Sequence, residues 1–367
     1  MRIRKEAVLK IIIITMFAFL LAACAATPVG MFRGDAAHSG VYKEKGVVDV
    51  DQQRWQFRTA GKIIASPLVV GDLVLVGSED NVLYAISSKN GQEVWRYETD
   101  GDVVSTPAYA GNLIYVGSKD GQFYAIKVDT GQESWRYRVG SAIQSSPVVV
   151  GNEVYFGSTD GYLYALDKMT GELRWRFNSG KAIYSSPAIA HGLAFFGTDE
   201  GHLFAVNIKT GQEKWRYKLK GAITSSPAIS NGLMFIGSDS GFLHVVDVAA
   251  GQEKWRFKAG GQVSSSPAVT DKFVFFGSHD GYVYALDLKT RQPEWRYKAK
   301  DWVTSSPAVT DKVVYVGSYD GYLHAIDRET GRQLWKFRTE KAVKSSPVVV
   351  NNVIYFGSND HTLYAVQ

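Results

Sequence analysis

Tryptophan recurs every forty residues along this chain, at Trp55, Trp95, Trp135, Trp175, Trp215, Trp255, Trp295 and Trp335, with no insertion or deletion between copies. A repeat of that length is one supersecondary unit that cannot bury its own apolar face, so it has to stack on its neighbours. Proline marks the same units, at Pro67, Pro107, Pro147, Pro187, Pro227, Pro267, Pro307 and Pro347. Two markers in step, eight times each, predict eight units.

Inside a unit the apolar residues alternate with a period of two, which is the pattern of strands and not of helices. Within residues 145–178, Ser145 to Val150 reads as a first strand, Val154 to Phe156 as a second, Leu163 to Leu166 as a third and Arg174 to Phe177 as a fourth. Gly151-Asn152, Ser158-Thr159-Asp160-Gly161 and Thr170-Gly171 mark the turns between them. Four antiparallel strands in about 40 residues is the period of a propeller blade. The expectation is an all-β chain whose residues 51–367 form one eight-bladed β-propeller of four-stranded antiparallel blades. The strand from Gln53 to Arg58 precedes every blade, and the eighth unit reaches Gln367 after only three strands. The N-terminal strand is therefore expected to complete the eighth blade and close the ring, which leaves no open inner edge.

A buried tryptophan removes roughly 150–250 Å² from water, about 4–6 kcal/mol gross. The eight repeated tryptophans are accordingly read as docking residues between adjacent blades. Seven of them are followed by a basic residue, Arg96, Arg136, Arg176, Arg216, Arg256, Arg296 or Lys336. These are read as guards of the outer strands, with their aliphatic stems covering the aromatic row.

The first 23 residues differ in character. Arg2, Arg4, Lys5 and Lys10 lead into an apolar run from Ile11 to Leu21, well short of the roughly 20 residues that span a bilayer. Residues 1–23 thus read as a signal peptide. Leu21-Ala22-Ala23-Cys24 reads as a lipobox with Cys24 as the lipidation site; the other reading is an ordinary cleavage site with an incidental thiol. Cys24 is the only cysteine, so no internal disulfide can form. Two or three acyl chains, palmitate among them, would anchor the protein stably where one would not. Residues 24–50 read as the lipidated N-terminus and tether, in which the Arg33-Gly34-Asp35 triplet is taken as incidental. Without residues 1–23, the formal charge of +5 falls to about +2, which removes the compositional case for nucleic acid.

The stretch Ala165-x-Asp167-x-x-Thr170-Gly171-x-x-x-Trp175 resembles the tryptophan-docking motif of the pyrroloquinoline-quinone-like propeller repeats, and it recurs at Ala285, Asp287 and Thr290 and at Ala325, Asp327, Thr330 and Gly331. Other copies depart from it: Lys127 or Asn207 replaces the Asp, Val245 the Ala, Ala250 the Thr and Arg291 the Gly. The resemblance covers residues 53–367 and implies the propeller fold. It allows two kinds of function. One is that of the quinoprotein dehydrogenases, which hold the quinone and a calcium ion over the central channel. The other is that of the non-catalytic propeller lipoproteins of the outer-membrane barrel-assembly machinery, whose uneven blades carry longer loops than the uniform units here.

The dehydrogenase reading asks for a cysteine pair and for long insertions, and this chain has neither. Asp80, Asp120, Asp160, Asp280, Asp320 and Asp360 each sit in a Ser-x-Asp turn and are read as turn caps rather than calcium ligands. His244 and His324 stand where the other copies have Tyr or Phe, and read as packing. No catalytic set and no metal-ligand spacing stands out. What remains is recognition by the positions where copies differ. The residue two before each Ser-Pro pair varies widely and includes Gln144, Tyr184 and Lys344, while Trp302 stands where other copies have Ala, Lys, Asp or Gln. These four are the candidate partner-binding residues. For Trp302 two readings stand, an interface anchor and packing over the channel mouth.

The sequence thus points to a non-catalytic, monomeric envelope scaffold that needs no cofactor and holds protein partners, with the barrel-assembly machinery as the expected partner. Ala25 after the lipidated cysteine favours the outer membrane, facing the periplasm, in a host with two membranes; with one membrane, the outer face of that membrane is expected. The alternatives are a propeller that binds quinone with calcium or another small ligand, and a polymer-binding surface protein.

Overall fold

The computed structural model describes residues 29–50 and 53–367; the expected signal peptide, residues 1–23, and the expected lipidation site Cys24 lie outside the described residues. Every forty-residue unit forms a four-stranded antiparallel blade, and among the described residues there is no helix. Blade 3 is typical: its strands are Val148–Val150, Glu153–Gly157, Tyr162–Asp167 and Leu173–Asn178, running from the channel to the rim. Counting from Leu68, the ring has eight such blades. The eighth takes Gln53–Arg58 as its outer strand, with Trp55 opposite Ala365 and Phe57 opposite Leu363. The ring is therefore closed by pairing the first of these strands with the last.

The inner strands are shorter than the sequence pattern suggests. In blade 3 the strand begins at Val148, so Ser145, Ser146 and Pro147 precede it. Those residues perform a different task. The amide of Ser66 donates to the hydroxyl of Thr106, Thr106 to Ser146, Ser146 to Ser186, and so on through Ser226, Ser266, Ser306 and Ser346 back to Ser66, at 2.8–3.2 Å. The result is an unbroken belt of eight hydrogen bonds around the channel, one per blade. It uses amides that would otherwise be buried without partners.

A second ring of contacts lies at the rim. The indole Nε1 of Trp55, Trp95, Trp135, Trp175, Trp215 and Trp295 donates to a carbonyl of the next blade, 33 residues on, at 2.8–3.1 Å. Each of these rings also lies flat against a glycine held at positive φ; at Gly91, φ is +71° and a Cβ would come within 2.8 Å of the Trp55 ring. The sequence departs at Arg291, which keeps the positive φ (61°) and places its guanidinium 6.0 Å over Trp255. The basic guards lie over aromatic faces as well, as with Arg176 on Tyr162 at 4.8 Å and Arg296 on Tyr282 at 5.1 Å.

Because strands alternate in direction, the loops fall on two faces. The upper face carries the links between blades and the turns between second and third strands; the lower face carries the other turns. From Val29 onward, the stretch read as a tether enters the lower end of the channel. Val29–Gly30 pairs with the inner strand of blade 2. The amides of Ile189, Ile229, Val269 and Val309, on four successive inner strands, donate to the carbonyls of Ala36, Ala37, Ser39 and Gly40. Arg33 is buried on this path, with Nη1 donating to the Pro307 carbonyl (2.7 Å) and Nη2 to that of Pro267 (2.6 Å). Asp35 accepts from the amides of Ala37 and Ser39 and from the Ser39 hydroxyl, and so fixes the bend. Within the triplet taken as incidental, Arg33 and Asp35 thus have structural tasks, Arg33 tying the segment to the ring and Asp35 holding its bend. The segment leaves by the lower face, where the Val47 carbonyl accepts from Trp335 Nε1 (2.9 Å) and Tyr315 Oη (3.1 Å). Lys168 gives its carbonyl to Trp135 and Tyr115 in the same way. Val47 therefore stands in for a blade residue at the last seam.

Candidate partner-binding face

The upper face is built by two loops per blade. The link into each inner strand is pinned from below by a buried Val or Ile, such as Val303, which packs on the glycine ending the second strand of the preceding blade, here Gly277. The residues on either side of that anchor, at the positions of Trp302 and Thr304, are free to vary because the belt and the anchor already hold the backbone.

Trp302 is 48% exposed, yet it is not loose. Its ring stacks on His279 (4.8 Å between centroids, 14° between planes) and leans on Tyr319 (5.5 Å, 56°). Lys344 places its ammonium 5.4 Å over the other participant, Tyr319. His279 Nε2 is 2.8 Å from the Ser264 hydroxyl. Burial pushes the His279 imidazole below its usual pKa, opposed by Asp239 and Asp280, while burial pushes the Asp239 carboxyl up. Blades 6, 7 and 8 thus present one shelf, aromatic at its centre and basic at one end.

The four candidate residues do not form one site. Trp302 and Lys344 share the Tyr319 ring, whereas Gln144 and exposed Tyr184 lead into blades 3 and 4, across the channel from blades 7 and 8. His279 and Tyr319 escaped the sequence reading. Their signal was present: the residue before the turn position that is Asp in six copies, Glu200 in one and Ser240 in another is Glu79, Lys119, Thr159, Asp199, Asp239, His279, Tyr319 or Asn359, as variable as the position that gave Tyr184.

The repeated aspartates are engaged in the fold. Asp160 accepts from the amides of Gly140 and Tyr162 and from the Tyr164 hydroxyl; Asp80, Asp120 and Asp280 have equivalent partners. His324 replaces the tyrosine and bonds Asp320 at 3.1 Å; where Ser240 replaces the aspartate, His244 turns to Ser238 and Glu253. Among the described residues no three His, Cys, Asp or Glu side chains converge as metal ligands would. A calcium–quinone pair would need free carboxylates beside an open aromatic plane. The turn carboxylates are taken up, and one face of Trp302 is covered by His279, so these residues do not fit that pair.

Two family profiles match the chain. The β-propeller of the beta-alanine-activating enzyme matches residues 108–313, and outer membrane protein assembly factor BamB matches residues 44–105 and 279–367. No protein of curated function matches the sequence. Among solved structures, BamB from Moraxella catarrhalis superposes with a TM-score of 0.75 at 18% identity, covering 86% of this chain and 99% of that one. The computationally designed Ika8 protein gives 0.76 at 22% identity, with 86% and 99% covered. Quinohemoprotein alcohol dehydrogenase from Comamonas testosteroni gives 0.80 at 17% identity, with 95% and 82% covered. At such identities these likenesses establish the fold.

Proposed function

Since the chain belongs to the PQQ-like β-propellers, we propose that it is a non-catalytic scaffold of the cell envelope, anchored through acylated Cys24, which holds protein partners during outer-membrane β-barrel assembly. The profile match to an assembly factor over residues 44–105 and 279–367 supports the process; the observation that carries the mode of action is Trp302. A large aromatic side chain half in solvent, held rigid by His279 and Tyr319, loses little entropy when a partner covers it, which is the condition for an interface hot spot. Lys344 beside it favours an acidic or polar rim on the partner. In a host with two membranes the protein is placed on the outer membrane, facing the periplasm.

The quinone-binding alternative shares the fold but gains nothing from the repeated aspartates of the upper face, which already serve the turns. Affinity capture of the lipidated protein from its own membranes, with mass spectrometry of what co-purifies, separates the readings. Recovery of a barrel-assembly component, lost in Trp302→Ala, is expected. Tight binding of pyrroloquinoline quinone with calcium to the soluble body, dye-linked oxidation of an alcohol or sugar, and no stable partner would overturn the scaffold.

A further inference from the structure

The channel segment fixes more than the ring. Val29, the first described residue, sits opposite Ala110 at the lower end of blade 2's inner strand, so the chain toward Cys24 starts from the lower face. Five residue steps separate Cys24 from Val29, and five steps reach at most about 17 Å when fully extended. A six-residue blade strand alone rises about 20 Å. A chain held in a membrane at Cys24 therefore keeps the lower edge near blade 2 closer to the lipid than the upper face can come at the same blade.

The neighbouring blades carry an independent mark at that edge. Met169 is 57% exposed, Val94 53% and Leu173 41%, and all three lie at the lower ends of blades 1 and 3, on either side of blade 2. Their equivalents in other copies are mostly charged. Met169 stands where Lys89, Lys209, Lys289 and Glu329 occur, Leu173 where Glu93, Glu133, Glu213 and Glu253 occur, and Val94 where Lys214, Lys254 and Glu294 occur. Charge is the commonest choice at these positions, and large aliphatic side chains stand exposed in its place only on blades 1 and 3, among the described residues; Leu334, at the Val94 position of blade 7, is packed against the last seam, and Ala249, at the Met169 position of blade 5, is small. The remaining exposed aliphatic of the lower side, Val48, follows the last seam and precedes the outer strand of blade 8.

We infer that the lower edge of blades 1–3, marked by Val94, Met169 and Leu173, rests on the lipid surface, with the Trp302 face turned away from it. This rests on the acylation of Cys24 in the proposed function. The aliphatic side chains enter the headgroup boundary, each adding a small apolar term to the anchor. An oriented disc presents Trp302 to partners in the aqueous space and keeps it from the bilayer, where a loop tryptophan would otherwise partition.

The acylated cysteine is blocked and no other cysteine exists, so a single introduced thiol can be labelled in the full lipidated chain. Met169→Cys and Tyr184→Cys, each carrying an environment-sensitive fluorophore, are compared in phosphatidylethanolamine–phosphatidylglycerol vesicles containing spin-labelled lipid. Quenching at 169 at least threefold stronger than at 184 is the expected result. Equal quenching, with mass spectrometry showing an acylated Cys24, overturns the orientation and leaves the scaffold standing. An unacylated Cys24 overturns both. A fluorescence shift at 169 that needs no vesicles and grows with protein concentration assigns the edge to a second copy of the chain and overturns the lipid contact.

Discussion

Ser346 donates its amide to the hydroxyl of Ser66, 280 residues earlier, and this bond is the last link of the belt around the channel. Each belt hydroxyl accepts the amide of the preceding blade, so a residue that looks like one half of a Ser-Pro marker is a connector between blades.

Replacing Ser346 by Ala should leave the Ser306 amide buried without a partner, at a cost of about 1–3 kcal/mol. Ser346→Thr should cost much less, since Thr106 already serves in one link. Thermal unfolding of the two variants beside the parent checks this; equal melting temperatures for Ala and parent would show that the belt contributes nothing.

Arg33→Ala removes the donors to the Pro267 and Pro307 carbonyls and should destabilise the ring by about 2–4 kcal/mol. Burial pushes this guanidinium down to about 10, so it remains a cation at neutral pH. Arg33→Lys should recover only part of the loss, because a point-like ammonium cannot span two carbonyls held by the arginine fork. Urea unfolding of both variants gives the comparison.

Arg291→Gly should stabilise. A non-glycine residue in the left-handed region costs about 1–2 kcal/mol, whereas an exposed cation–π contact at the outer limit of range returns only about 0.5 kcal/mol. The expected net gain is about 0.5–1.5 kcal/mol, read as a rise in urea midpoint with unchanged slope.

His38 gives the channel segment a pH dependence. Burial in the channel holds its imidazole well below the usual 6.5, against the pull of Asp35. Between that lowered value and 6.5 the unfolded chain binds the proton and the folded chain does not. Stability is then complete above pH 6.5 and falls below it, at about 1.4 kcal/mol per pH unit for one group. His244, also buried and lowered, adds a slope of the same sign. His38→Gln should flatten the profile between pH 6.5 and 5 without abolishing it; an unchanged slope would mean that His38 takes up its proton in place.

The ring was legible because forty-residue spacing of Trp and Pro leaves few architectures, and the orphan strand Gln53–Arg58 found its partner in Thr362–Val366 as expected. What escaped the sequence has a common cause. Ser145 and Ser146 look like the start of an alternating strand, but Ser145 bonds Gly157 of its own blade and Ser146 bonds the same position of the neighbouring copies, a contact that one copy cannot reveal. Residues 29–50 carry no period, and they bind mostly backbone amides and carbonyls of the inner strands, which every sequence possesses equally. The Trp302 shelf was half visible. Trp302 and Lys344 stood out as departures from the repeat, whereas their contacts with Tyr319 join the link between blades to a turn in a different part of the unit.

The closure of the ring also sets an order of events. Synthesis delivers Gln53–Arg58 before any blade, and its partner strand arrives after all the others, as in the contact of Thr59 with His361 across 302 residues. Chain length adds little to the equilibrium cost of such a closure, since each doubling adds only about 0.6 kcal/mol. Its effect is on time: non-local pairing folds slowly, and until the final strand docks, the outermost strand and the end of the growing array both present unpaired edges. The vulnerable species is therefore the nearly finished propeller, and any factor that shields strand edges during folding would act on it and not on the completed disc.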